Sequence, residues 1–552
     1  MNRETESHFS NLPTLNIKRS RFKRPSTHKT SFNASDLIPI YVDSDILPGD
    51  SVKMRMAEIV RMQTPIFPVM DNAYMDIYFF FVPHRIVWEH WKEFWGENNL
   101  TAWEQQVPYE IPQIEAPAST GWTEGTIADY MGIPTGVDDI SVNHLPFRAY
   151  VKVWNDWFRD ENLKDPAYIQ SDETTLTGAN SGSYVTAAQL GAAPLKVAKY
   201  HDYFTSALPA PQKGPSVNLP LGQAAPVIGV DPTNKPTNYT LESNLLSKNL
   251  EIYRDSQGNV GVIGDATGTP GFTPASNKVI GLAADLSNAL GATINQLRQA
   301  FAVQAFYEAQ SRGGSRYIEF IKNIFGVTSP DGRLQRSEYL GGTRVQINMD
   351  QVLQTSSTDA ISPQGNTAAF SCTVNSEEDL FTHSFTEHGT LIGVACIRTD
   401  HTYQQGINRM WSRKKWTDYY VPQLANLGEV PILNKELYAQ GDSVVDTDGN
   451  IVDDQVFGYQ EAWADYRYMP SRVSGEMRSS YAQSLDAWHY ADDYNALPTL
   501  SSSWIDETED NIDRTISVQH STANQFFGDF YFDPIYVRPM PVYSIPAMLN
   551  HF

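Results

Sequence analysis

Residues 385–420 read FTEHGTLIGVACIRTDHTYQQGINRMWSRKKWTDYY. From Gly389 to Ile397 the run is apolar and β-prone, with the length of one buried strand and no charged residue to interrupt it. From Asp400 onward the stretch turns polar, aromatic and basic, with neither helical nor alternating periodicity. Trp411, Arg413 and Trp416, flanked by Lys414, Lys415 and two tyrosines, are residue types enriched where protein meets protein. A buried strand feeding an irregular, adhesive loop predicts a β-rich subunit that assembles, and no nucleophile–base or metal-ligand spacing accompanies it.

AYMDIYFFFV (73–82) is a second strand, apolar almost throughout and so expected to be covered on both faces. Pro83 ends it. Helices are expected around Trp88, Trp91 and Trp95, and from Pro146 with a stripe of Tyr150, Trp154, Trp157 and Phe158. A longer helix covers 292–314, with Ile294, Leu297, Phe301 and Ala305 on one face and Gly313-Gly314 as its stop. The C-terminal third returns to strands, including an Asp-Gly hairpin at 444–452 and the aromatic run 528–539. The proline-bearing tail from Arg538, with Tyr543, reads as an extended strap over a neighbouring surface.

The 35 glycines and 33 prolines exclude a mostly helical chain. Many short strands, few helices and long loops predict a mainly β sandwich or barrel. Four segments are expected: a basic N-terminal arm (1–35), a first core part (36–216), an insertion (217–288) and a second core part (289–552). The insertion is rich in Gly, Pro, Ala, Asn and Thr, and reads as a surface subdomain with a hairpin turning at Gln257, Gly258 and Asn259. Two cysteines, Cys372 and Cys396, provide no disulfide framework. The N-terminus has no apolar signal-peptide core and no run is of membrane-spanning length, so the expectation is a soluble chain made in a cytoplasm, with no membrane insertion.

The net charge is −23, yet the first 30 residues hold seven Lys or Arg against two acids. A basic arm on an acidic body suits phosphate neutralisation while the body stays soluble. Lys18, Arg19, Arg21, Lys23 and Arg24 are the candidate nucleic-acid contacts; a solvated tail, or an arm for an acidic protein, fits the same composition.

Catalytic signals are weak. His383-Ser-Phe-Thr-Glu-His388 is one residue from a zinc-hydrolase pattern, but runs into a strand, where its ligands cannot share a helical face. Asp446–Asp454 echoes a calcium loop with its glycine misplaced, so a hairpin turn is expected. No phosphate-binding loop or nucleophile elbow is present. The expectation is therefore no enzyme, no metal and no cofactor, with a carbohydrate-binding β protein or glycosidase as the alternative, which would need an aromatic cleft around two carboxylates.

Segments across the chain resemble the major capsid protein of microviruses, specifically the gokushovirus branch of small single-stranded DNA bacteriophages. They are 46–91, KYHDYFTSALPAPQKG (199–214), RGGSRYIEFIKNIFGV (312–327), SPDGRLQRSEYLGG (329–342), 385–420, FGYQEAWADYRYMPSRVSG (457–475) and RPMPVYSIPAMLNHF (538–552). The resemblance implies an eight-stranded jelly roll with large inter-strand insertions. It implies a virion protein, assembled in the bacterial cytoplasm through pentamers into a sixty-copy T=1 shell around single-stranded DNA. It also implies scaffolding and DNA-pilot partners, and a threefold protrusion at 217–288 that contacts a host receptor. Within it, Trp411, Arg413, Trp416, Arg538 and Tyr543 are the expected subunit contacts, and Gln257, Gly258 and Asn259 the expected receptor contacts.

Overall fold

The computed structural model describes residues 18–97, 109–215, 217, four short strands between 227 and 284, and 294–314, 316–348, 350–356 and 363–543. The chain forms two compact units, one of Met1–Pro211 with Gln310–Phe552, the other of Gln212–Ala309.

The two main sheets of the larger unit comprise eleven strands: β1 (Ser20–Lys23), β2 (Ser26–Phe32), β3 (Asp36–Ile46), β4 (Ser51–Met62), β5 (Ala73–Pro83), β6 (Leu195–Lys196), β7 (Glu338–Gln346), β8 (Thr373–Ser384), β9 (Gly389–Thr399), β10 (Phe526–Phe532) and β11 (Ile535–Arg538). In the first sheet β4 is central. β8 pairs along one edge of it, and β10 followed by β11 along the other, with Phe532 opposite Met56 and Ile535 opposite Lys53. β2 and β1 then pair outside β10 and β11. In the second sheet the order is β7-β5-β9-β3-β6. Every pairing in the two sheets is antiparallel.

The two sheets form a β-sandwich because their sequences alternate. β4, SVKMRMAEIVRM, buries Val52, Met54, Met56, Val60 and Met62 and turns Lys53, Arg55 and Arg61 outward. Those buried residues share one core with Met75, Ile77, Phe79 and Phe81 of β5 and with Phe526, Phe530 and Phe532 of β10. Phe79 lies 5.5 Å from Phe381 of β8 and 6.2 Å from Phe532, centroid to centroid.

β5 and β9 lack alternation because both their faces are covered, as their apolar runs predict. Phe80, Val82, Ile392, Val394 and Cys396 pack into a second core with Trp88, Trp122, Tyr150 and Trp154. Its main helix, α1 (Leu145–Val153), starts with Pro146 in the first turn and runs into a wider turn over Trp154–Phe158. The expected tryptophan helix is shorter than its spacing suggests. His84–Ile86 and Trp91–Phe94 form two separate single turns, and Trp95 is 59% exposed.

Within the expected arm 1–35, Ser20–Lys23 and Ser26–Phe32 are paired strands. The first has Phe22 opposite the buried Tyr536 and Arg21 and Lys23 on the other face. The smaller unit is wider than 217–288. Within it Glu251–Arg254 pairs antiparallel with Val260–Ile263, as the expected hairpin requires, but Gln257, Gly258 and Asn259 lie outside the described residues. The long helix is present as Ile294–Gly313, with Gly314 following at a φ of +91°. On its expected apolar face Leu297 is half-buried, Ala305 is exposed and Phe301 is 67% exposed among the described residues.

Candidate assembly surface and genome-facing strands

β9 delivers the chain into the loop that follows Asp400, and a buried ion-pair network fixes the exit. His401 Nδ1 lies 2.9 Å from Asp492 and Nε2 3.0 Å from Glu507. Thr399 Oγ1 donates to Glu507 at 2.9 Å and Asn511 Nδ2 to Asp492 at 2.9 Å. Burial opposes a charge on His401, but the two carboxylates override it and push the imidazole pKa up to about 10. Asp492 is held down at about 2, its burial outweighed by His401.

Beyond this anchor the loop stays tied to the body. Tyr403 donates its hydroxyl to Asp202 at 2.7 Å, and Gln404 exchanges hydrogen bonds with Ser479. At Gly406 a Cβ would collide with the Glu436 carbonyl oxygen, so only glycine permits that approach. Asn408 caps the turn Arg409–Ser412 through the Met410 N–H at 2.9 Å. Arg413 is ion-paired with Asp465 and lies 4.4 Å over the Tyr466 ring. Lys415 and Lys414 donate backbone N–H groups to Asp418, which holds its carboxyl below the usual range.

This ordered loop leaves its largest side chains in solvent. Trp411 is 71% exposed and Trp416 72%, so neither is a core residue of the subunit. Met469, which lines the same cleft as Trp411, and Tyr466 are also exposed. A cleft of 620 Å³ opens along the loop, lined by Tyr203, Arg409, Trp411, Glu436, Asp465 and Tyr468, among others. It holds aromatics and two carboxylates, the arrangement a glycosidase needs. Both carboxylates are engaged: Glu436 lies 3.6 Å from Arg409 and accepts from the Leu433 N–H, while Asp465 is bound to Arg413. Burial raises the pKa of Glu436, but the adjoining guanidinium opposes that rise.

The terminal residues divide. Tyr543 is 80% exposed. Arg538, an expected subunit contact, engages residues of its own subunit, 3.0 Å from Asp50, 4.6 Å over the Tyr536 ring and donating to the Asp45 carbonyl. Arg24 does likewise, paired with Asp43 at 2.5 Å and lying 4.9 Å over Tyr536. Tyr536 also donates to Asp43, at 2.6 Å, so one cluster ties the first and last described strands together. Lys18, Arg19, Arg21 and Lys23 are exposed; Arg19 donates to the Gly49 carbonyl, and Lys23 lies 3.9 Å from Asp533. The networks around His401 and Asp43 were not expected from the sequence, because their members lie about 100 and about 500 positions apart and no local pattern links them.

His383 sits on β8, 3.8 Å from Glu338, and His388 stacks on Trp95 at 4.7 Å, so the zinc-like pattern is strand and turn. Val445 bridges Ile451 and the Asp446 carboxylate accepts from the Asp448 and Asn450 N–H groups, forming the expected hairpin turn.

The family described as capsid protein (F protein) matches residues 10–548. The chain is 43% identical to capsid protein VP1 of Spiroplasma virus 4, over 98% of this chain and 97% of that protein. It is 41% identical to capsid protein VP1 of Bdellovibrio phage phiMH2K, over 100% and 99%, and 37% identical to that of Chlamydia phage 1, over 98% of each. A β-sandwich core, a pinned loop with exposed tryptophans and full-length similarity agree: the chain belongs to the capsid protein (F protein) family of phages and is a structural major capsid protein of the virion.

Proposed function

We propose that this chain builds a T=1 icosahedral shell of sixty copies through pentamers, on an eight-stranded jelly roll, and encloses single-stranded DNA. The strand order supports the jelly roll. Counting β1 with β2 and β10 with β11 as interrupted single strands, and setting aside the two-residue edge strand β6, leaves four per sheet, and these successive strands alternate between the sheets except at β5–β7. The observation that carries assembly is the loop after β9: pinned by His401, yet presenting Trp411 and Trp416 to solvent. Rigid exposed aromatics lose little entropy on docking, which is what a heterologous contact repeated around a symmetry axis needs. Trp411, Trp416 and Tyr543 contact neighbouring subunits; Arg413 positions the loop.

The subunit acts by binding rather than catalysis. Lys18, Arg19, Arg21 and Lys23 meet the genome, helper proteins with scaffolding and DNA-pilot roles take part in assembly, and the Gln257–Asn259 turn meets a host receptor. Sedimentation velocity of Trp411→Ala tests the interface. A folded subunit that no longer assembles supports it; unimpaired assembly removes Trp411 from it.

A further inference from the structure

The outward face of the first sheet is unlike the rest of this acidic chain. Because β4 alternates, Lys53, Arg55 and Arg61 point out of that face while its methionines point in. The register puts Lys23 opposite Ile535 and Ile535 opposite Lys53, and puts Phe527 opposite Arg61. Lys29 joins them from β2, opposite Asp529. Lys53 and Lys29 are paired with Asp379 and Asp529, and Arg55 and Lys23 share Asp533, Lys23 at 3.9 Å. Arg21 and Arg61 are exposed and have no ion pair among the described residues.

Aromatic rings stand in the same field. Phe527 is 42% exposed and Tyr531 45%, both on the outward side of β10, whose Phe526, Phe530 and Phe532 fill the core. No strand of the described chain covers these rings. Exposed rings between unpaired guanidinium groups on a sheet face form a stacking platform. Each ring accepts the face of an unpaired base while the cations neutralise the adjoining phosphates. A duplex cannot use it, since its bases are stacked on one another. Asp529, between the two rings, and Asp533 also lie on this face but are each held by a cation, and β8 adds Glu378 and Asp379 at the edge.

We infer that this outward face, through Arg21, Lys23, Arg61, Phe527 and Tyr531, is a binding surface for single-stranded nucleic acid. The inference rests on the capsid reading and deepens it: the genome contact is a sheet face, with the basic segment as its edge strand, rather than a free arm.

The test is fluorescence anisotropy of the full chain with a labelled oligo-dT of about thirty nucleotides, against a salt series and a duplex of equal length. The double variant Arg21→Glu/Arg61→Glu is expected to weaken binding at least about tenfold and to flatten the salt dependence by about 0.7 for each phosphate no longer neutralised. Phe527→Ala/Tyr531→Ala is expected to weaken it about tenfold with an unchanged salt slope, and to remove the preference over duplex. Lys322→Glu/Arg333→Glu, exposed cations off this face, should stay within about twofold. Thermal melts of each variant guard against misfolding. Affinities for the first two variants within about twofold of the parent overturn the inference. So does equal binding of duplex by the parent, which makes the face a general polyanion surface. Sedimentation of the same samples separates the two readings. A chain that assembles but binds no oligonucleotide refutes this inference alone, and one that does neither refutes both.

Discussion

His401 lies 2.9 Å from Asp492 in a site where both side chains are almost wholly excluded from solvent, and it is this pair that holds the end of β9 against the 490–511 segment. A buried ion pair contributes little net stability, but removing one partner leaves a bare buried charge. His401→Ala is therefore expected to destabilise the subunit by about 3–5 kcal/mol. Urea denaturation at neutral pH, comparing midpoints, reads this directly.

The same pair sets a pH dependence. Imidazole titrates near 6.5 when unperturbed and near 10 in the fold, so the folded state binds more protons between those values. Its contribution is complete below about 6.5 and is lost as pH rises through about 10. Asp492 runs the other way: held near 2 against an ordinary 3.8, its contribution is present above 3.8 and lost as pH falls through about 2. Melting temperature should fall between about pH 7 and about pH 10 in the parent chain, and that slope should shrink in His401→Ala.

The sandwich core offers a sharper stability test. Phe79 is fully buried between the sheets, near Phe381 and Phe532. Phe79→Ala should cost about 3–5 kcal/mol, through reduced burial and the cavity left behind. Phe301→Ala, on an exposed helix position, should stay within about 0.5 kcal/mol. Chemical denaturation of the two variants side by side checks both.

The basic N-terminal segment separates into two behaviours. Arg24 is part of the Asp43–Tyr536 cluster, so Arg24→Ala should lower stability by about 1 kcal/mol, discounted for its half-exposed side chain. Arg21→Ala should leave the melting temperature unchanged and act only on nucleic-acid affinity. Calorimetry with anisotropy on the same samples distinguishes them.

Much of the core was legible in the sequence. The continuous apolar runs at 73–82 and 389–397 marked the two doubly covered strands, and Pro146 marked the start of α1. Strand pairing was harder. In β1 the alternation of Arg21, Phe22 and Lys23 was visible, but the run of charge reads as a solvated tail until Tyr536, about 500 positions away, pairs with Phe22. Trp411 and Trp416 read as interface types, but tryptophan is equally at home in a core, and only the fold shows which side water is on. The engagement of Arg538 with Asp50 had no local signal, since its partner lies at the other end of the chain.

Sedimentation velocity on the expressed chain, with negative-stain imaging of the largest species, separates an assembling subunit from a solitary one. Pentamers or closed shells are expected, reduced to smaller folded species by Trp411→Ala. A well-folded monomer that stays monomeric in the presence of single-stranded DNA and helper proteins would contradict it.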